Sequence, residues 1–312
     1  MKIIITGGLG FIGSYFSERL SENKSNKLII LDNMTGYSVS AYEALKKIEN
    51  IEIVQIDIND QNIEEYFNNV DLVYHFAANS KISEGVNNPD IDFNVTAAGT
   101  HNVLKAMDKN KVPKIVFSSG SGVYGDQAEL ELSEDFGPLL PVSFYGASKL
   151  CAEAYISSFC GMKNIQASIF RFANVVGFRQ THGVAYDFIE KLFQNNSKLH
   201  VLGNGYQSKS YIDVEDIFNA IELVINKQSK DVDVFNIATT DYINVREIAE
   251  IVIEEMSLKD TEIIYEQNSA GWIGDVPIVR FSTEKIRKLG WVNKLNSKQA
   301  IVNCVKHMLS ER

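Results

Sequence analysis

Tyr145 and Lys149 stand four residues apart in a stretch that reads as helix, and that spacing places both side chains on one face. A phenol has an ordinary pKa of about 10, so it acts as a base near neutral pH only where positive charge stabilises the phenolate. A neighbouring ammonium is one source of that charge. The same spacing recurs at Tyr42 and Lys46, which read as an exposed pair on an early crossover helix. Position separates the two pairs. Tyr145 follows Pro141-Val142-Ser143-Phe144 and comes after a fifth predicted strand with a serine-rich end, where parallel-sheet enzymes assemble their sites.

A second constellation supplies a partner for that chemistry. Thr6-Gly7-Gly8-Leu9-Gly10-Phe11-Ile12-Gly13 follows the first predicted strand immediately and opens a helix. Gly7, Gly10 and Gly13 allow a tight turn, close approach of backbone to a pyrophosphate, and packing of helix on strand. The helix start at Phe11 and Ile12 offers unpaired N–H groups and partial positive charge to phosphates. Taken alone, the turn also suits a protein with no ligand. The second predicted strand, however, ends in Asp32, nineteen residues past Gly13, where a carboxylate accepts hydrogen bonds from ribose hydroxyls. Asn33-Met34-Thr35-Gly36 contains no Arg for a 2′-phosphate, which favours NAD over NADP. Asp57-Ile58 follows the third strand, where an adenine pocket is commonly built, although Asp57 by itself reads equally as a turn residue. With NAD in place, Tyr145 removes a hydroxyl proton while hydride leaves the same carbon.

The elements that must position these groups alternate along the first half of the chain. Strands are predicted near 2–5, 27–31, 51–56, 70–75 and 114–118, and helices near 12–22, 40–48, 60–68 and 94–109. That alternation predicts a doubly wound parallel sheet of the Rossmann type. Ile3-Ile4-Ile5 and Leu28-Ile29-Ile30-Leu31 are apolar without alternation, as expected where helices cover both faces. A helix follows over 144–160 and a strand over 165–170. Beyond these, 175–215 and 255–295 mix short strands and Gly turns, with amphipathic helices near 216–225, 245–256 and 298–309. The chain divides into an NAD-binding domain over 1–172 with parts of 210–240, and a smaller interleaved α/β substrate domain over 173–209 and 241–312.

Composition narrows the setting. The chain has 312 residues, 45% of them hydrophobic, and a formal net charge of −10, which disfavours nucleic acid and anionic lipid as partners. Cys151, Cys160 and Cys304 show neither disulfide nor zinc spacing, and no metal site is expected. With residues 2–6 already a strand and no long apolar run, the expected location is the cytoplasm, away from membranes.

Several segments together carry a family resemblance. The glycine-rich turn, His75-Phe76-Ala77-Ala78-Asn79, Tyr124-Gly125 and Tyr145-Gly146-Ala147-Ser148-Lys149 resemble extended short-chain dehydrogenase/reductases, above all the UDP-glucose 4-epimerases. Arg171 to Gly177, Gly203 to Ile212 and Gly271 to Val276 extend the likeness over nearly the whole chain. It implies that Asn33, Ile58, Phe76, Ala77, Ala78, Asn94, Ser118 and Phe172 line the NAD site with Tyr145 and Lys149. It further implies that Lys81, Asn174, Val201, Leu202, Gln207, Lys209 and Asp275 face a nucleotide sugar. The implied reaction oxidises C4 to a ketone, rotates the sugar and returns hydride to the opposite face, so NAD is regenerated. A net sugar-nucleotide reductase is the alternative.

Two departures from the resemblance bear on chemistry. Dehydrating and decarboxylating relatives usually carry an acidic residue just before Val-Tyr-Gly, where this chain has Ser121-Gly122; the epimerases usually place a hydroxyl where Gly120 stands. Ser119 or Ser121 is the expected replacement, or else both serines merely cap the strand. Epimerases also often use Arg at the position of Lys209 and another ahead of Gly274-Asp275, where Trp272 stands nearby; Arg280 is a candidate substitute or a surface residue. Finally, Val95, Val103, Leu104, Leu150, Ala154 and Ile156 put apolar surface on more than one face of two helices. Relatives pair such helices into a four-helix bundle, which predicts a homodimer.

Overall fold

The computed structural model describes residues 1–79, 82–227 and 231–311. Seven parallel strands form the central sheet: β1 Lys2–Thr6, β2 Lys27–Asp32, β3 Ile51–Gln55, β4 Leu72–His75, β5 Lys114–Gly120, β6 Gln166–Phe172 and β7 Val232–Ile237. Their spatial order is 3-2-1-4-5-6-7. The order reverses between β1 and β4, which opens a crevice at the carboxyl ends of those two strands. The doubly wound fold expected from the alternation is present.

Continuous apolar strands follow from double coverage. Ile3 and Ile5 enter one core with Phe16, Ile217 and Ile221, whereas Ile4 enters the opposite core with Val103, Leu104 and Ile156. Helices Phe11–Ser21 and Val214–Lys227 therefore lie on one face, and Gly99–Asn110 and Phe144–Lys163 on the other. Each such buried aliphatic side chain contributes about 1.5–3 kcal/mol of transfer free energy. Burial of Val103, Leu104 and Ile156 inside the subunit corrects the expectation that they seek a partner. The outward face of Phe144–Lys163 presents Ala154, Tyr155, Ser158 and Met162 instead, with Met162 80% exposed.

Two crossover helices differ from expectation. The stretch expected as helix over 60–68 is a single 3-10 turn, Ile63–Phe67. Ile63 and Phe67 give it one apolar contact row, and Asn69 ends it in a left-handed conformation at φ 54°. The helix expected at 94 starts earlier, at Pro89–Asp92, and then widens into a π-helical turn over Phe93–Ala98 before Gly99–Asn110. Such widened turns cluster at functional sites.

A third core gathers Ile189, Leu199, Ile248, Val252, Ile301 and Val305. It joins helices Val184–Gln194, Val245–Glu255 and Ser297–Ser310 to the two-stranded pair of Lys198–Val201 and Glu262–Tyr265. Asn244 with Glu247 and Asn296 with Gln299 close capping boxes on two of these helices, satisfying first-turn N–H groups.

Beneath the sheet end, Arg171 on β6 clasps Glu153 of helix Phe144–Lys163 with two bonds, Nε to Oε1 at 3.0 Å and Nη2 to Oε2 at 2.7 Å. Both side chains are buried, and Arg171 also donates to the Tyr124 hydroxyl at 3.0 Å. Removing one partner strands the other charge. Arg171→Met is expected to lower unfolding free energy by about 3–5 kcal/mol in urea denaturation. A loss below about 1 kcal/mol would show that the pair does not brace this helix.

Candidate active site

The cofactor end is shaped by absent side chains. A β-carbon on Gly13 would stand 2.1 Å from the Gly7 carbonyl oxygen, and one on Gly7 2.8 Å from the backbone of Ala77. Gly7 also sits at φ +65°, where other residues are strained. The turn can thus lie flat against the end of β4. Helix Phe11–Ser21 begins at Gly10 with no side-chain cap, leaving its first-turn N–H groups to a ligand. Asp32 braces the turn: Oδ2 accepts from Leu9 N at 2.9 Å and Oδ1 from Met34 N at 2.8 Å. Each oxygen keeps a lone pair for a ribose hydroxyl. Burial raises this carboxyl above its ordinary range, while the two backbone bonds oppose the rise. These residues fit a dinucleotide.

Around them, His75 ties three elements together. Thr6 Oγ1 lies 2.6 Å from Nδ1, and Thr100 Oγ1 2.9 Å from Nε2. Ala77 N donates to Thr6 Oγ1 at 3.3 Å, and the two threonine hydroxyls occupy both ring nitrogens. Complete burial pushes the imidazole down to about 3, so it stays neutral. Asn33 and Asp57 meet at 2.8 Å between the ends of β2 and β3.

Some expected cofactor residues point elsewhere. Ile58 turns its side chain into the core under Gly99, and Phe172 stacks on Phe170 within the sheet core. Phe76 packs on Phe16 at 4.8 Å, so this residue too offers backbone rather than ring. Asn94 is exposed, and its carbonyl accepts from Asn59. Two residues on, Thr96 is fully buried, and among the described residues its Oγ1 has no hydrogen-bond partner, nor have Ser119 Oγ and one oxygen of Asp92. Nothing in the local sequence distinguishes Thr96 and Asp92 from ordinary helix-start residues.

Tyr145 and Lys149 share one face of helix Phe144–Lys163, as their spacing expects. Ser143 caps the helix through Gly146 N at 3.1 Å, and Gly146 presses so closely on Gly122 that a β-carbon there would meet its carbonyl at 2.4 Å. This contact lays the start of the helix over the end of β5. A β-carbon on Gly120 would stand 4.0 Å from the Tyr145 hydroxyl, so the phenol sits directly over the position that lacks a side chain. Lys149 is 2% exposed and donates to the Ser118 carbonyl at 2.6 Å, with its ammonium 4.9 Å from the Phe117 ring centre. Ser118 Oγ itself donates to the His75 carbonyl at 3.3 Å. Ser121 begins the short turn Ser121–Tyr124 beside this pair.

Electrostatics differ from the simple expectation of an acidified phenol. Burial, with Asp92 adding to it, pushes Tyr145 up to about 12. Burial pushes Lys149 down to about 7 against the pull of Glu153 and Asp92. The protein's own groups therefore leave the phenol weakly acidic.

Substrate-side residues converge on one loop. Lys209 Nζ pairs with Asp275 Oδ1 at 2.6 Å, Gly271 N donates to Asp275 Oδ2 at 3.1 Å, and Gln207 donates to the Leu202 carbonyl at 3.0 Å. Gly274 brings this loop against Val142 and Ser143, the entrance to the catalytic helix. Asn174 lies on a short strand paired with Tyr211–Asp213 and hydrogen-bonds the Tyr211 phenol, which burial pushes up to about 12. Val201 is instead buried in the third core, which corrects its expected place among exposed lining residues. Arg280 is committed to Glu129 and to both the carbonyl and hydroxyl of Ser208, so it is not a spare cation. Lys81 lies outside the described residues.

The family described as GDP-mannose 4,6 dehydratase matches residues 4–303. The chain belongs to that family, within the extended short-chain dehydrogenase/reductases. A Methanocaldococcus jannaschii protein named "Putative UDP-glucose 4-epimerase" is 33% identical over 313 residues, covering 98% of each chain. The human dTDP-D-glucose 4,6-dehydratase is 27% identical over 314 residues, covering 98% of this chain and 89% of that one. A solved UDP-galactose 4-epimerase superposes with a TM-score of 0.89 at 30% identity, covering 100% of this chain and 99% of that one.

The depressed Lys149 gives a stability signature. Between about 7 and the ordinary value of 10.5, the unfolded chain holds a proton that the folded chain has released. Stability from this group therefore rises with pH across that window and is flat below it. Lys149→Met should remove that rise when chemical denaturation is compared at pH 7 and pH 10. An identical slope in both proteins would place the Lys149 titration outside the window.

Proposed function

We propose that the chain is an NAD-dependent C4 epimerase of UDP-linked sugars, acting on UDP-glucose and UDP-galactose or their N-acetyl or uronate analogues. The observation that carries it is the phenol of Tyr145 standing over Gly120, beside the glycine turn that fits a dinucleotide. The epimerase relatives support the reading, and Ser121-Gly122 leaves dehydration without its usual acid. Bound NAD supplies a hydride acceptor that returns the hydride after the sugar turns.

Phe11, Ile12 and Gly13 would hold the pyrophosphate through backbone N–H groups, Gly7 and Gly10 would leave it room, their own N–H groups going to Leu31 and Gly7 carbonyls, and Asp32 would hold the ribose. Asn33 and Asp57 edge the adenine end; Ala77, Ala78 and Ser118 form the floor. Tyr145 Oη takes the C4 hydroxyl proton as the ketone forms, holds it, and gives it back on return. Lys149, 5.7 Å from the Tyr145 ring centre and held on the Ser118 carbonyl, fixes the helix face that presents the phenol. Ser119, with a buried unpaired hydroxyl, or Ser121 steadies the reacting oxygen. Asn174, Leu202, Gln207, Lys209 and Asp275 seat the nucleotide diphosphate, with Lys209 exchanging Asp275 for phosphate. The unit around the third core is the substrate domain, and the first two cores hold the cofactor.

No described helix is long and apolar enough to cross a membrane, and we place the enzyme in the cytoplasm. The exposed strip of Ala154, Tyr155, Ser158 and Met162 with half-buried Phe159 beside it, and with His101 against Tyr155 at 5.3 Å, is the dimer face. Light scattering should give twice the chain mass at micromolar concentration, and Met162→Glu should halve it. A monomer mass for the unaltered protein would rule the dimer out.

The decisive assay incubates purified protein with UDP-glucose and reads UDP-galactose by mass-resolved chromatography, without added NADH. Conversion in that reaction supports epimerisation, whereas product that forms only in a parallel reaction with added NADH, consumed in equal amount, supports the reductase. Tyr145→Phe should retain bound NAD and lose about 10²-fold or more of turnover. Near-normal turnover would remove Tyr145 from the mechanism.

A further inference from the structure

We propose that Asp92 is a positioning residue: the buried counter-charge that sets the protonation of Lys149 and Tyr145. This rests on the reading above that the pair performs the chemistry. Asp92 closes the short helix Pro89–Asp92, immediately before the π-helical turn, and is 0% exposed. Its Oδ1 accepts from Asn79 at 3.1 Å, and its Oδ2 is buried with no hydrogen-bond partner. A β-carbon on Gly85 would stand 2.2 Å from Oδ2, so the turn Ile82–Val86 closes over the carboxylate. Both that turn and the Pro89–Asp92 helix lie against helix Phe144–Lys163.

A carboxylate sealed in this way is costly to bury unless a cation balances it. Among the described residues, few groups act on Lys149. Its own helix presents Tyr145 and Glu153, β4 presents His75, β5 presents the Ser118 carbonyl, and Pro89–Asp92 presents Asp92. His75 is neutral, and Glu153 is already clasped by two bonds from Arg171. Asp92 is therefore the acid whose charge is unmatched by any other group in this set. Its charge favours the Lys149 ammonium and disfavours the Tyr145 phenolate, so it holds both protons in place until oxidised nicotinamide and substrate are bound.

The test uses the NAD-loaded protein with ¹³C at lysine Cε, the Lys149 resonance being assigned by its loss in Lys149→Met. In Asp92→Asn the Lys149 midpoint should fall by about half a pH unit or more. An unchanged or higher midpoint overturns the proposal, and neither result depends on activity toward any sugar nucleotide. Should Asp92→Asn fail to fold, the Asp92 Cγ resonance of the unaltered protein serves instead. It should show a second inflection at the Lys149 midpoint, because interacting groups titrate as a pair; a single inflection elsewhere overturns the proposal. In turnover measured against pH, both limbs should move to lower pH in Asp92→Asn, and fixed limbs count against it.

Discussion

A buried ammonium on a strand-end carbonyl organises this protein. Lys149 can reach the Ser118 carbonyl at 2.6 Å only if helix Phe144–Lys163 lies close over β5, and Gly122 against Gly146 permits that approach. One turn further along, Glu153 ties the same helix to β6 through Arg171. Two fixed points hold a helix in rotation as well as position. The phenol of Tyr145, one turn before Lys149, is thereby aimed over Gly120.

The same constraint links the two halves of the site. The loop of Gly271 to Asp275 gathers Lys209, Gln207 and Leu202, and Gly274 seats it on Val142 and Ser143. Ser143 is also the cap of the catalytic helix. A shift in the substrate-side loop is therefore felt at the residue next but one to Tyr145. On the cofactor side, Asp32 braces the glycine turn and His75 joins β1, β4 and helix Gly99–Asn110. Each of these contacts is buried, where an unmade hydrogen bond costs about 1–3 kcal/mol, so the crevice is held open by satisfied polar groups.

Much of this was legible in the residues. The succession of β1 to β6 along the chain followed from apolar runs separated by helical periods, because a doubly covered strand has no polar face to show, although the crossovers at 60–68 and before Gly99 took other forms. The glycine turn and the Tyr145-Lys149 pair were legible because each is set by spacing within a short stretch of chain. Ile58, Phe172 and Val201 were not. Each was placed by its neighbourhood in the chain, and the sequence does not say whether an apolar residue there turns to the ligand or to the core. The apolar residues Val103, Leu104 and Ile156 raised the same ambiguity, and the sheet claimed them.

By itself, the sequence determined the period of each element, the glycine positions that admit a close backbone approach, and the chemical types available at the strand ends. These are local properties, set by steric allowance and by repeat length. Only the tertiary structure decided that Asp92 and Thr96 are sealed beneath the catalytic helix, that Lys209 is paired with Asp275, and that Arg280 is already committed. Those facts join residues that are distant along the chain. Their burial and charge depend on which elements close over them, and no window of sequence contains that information.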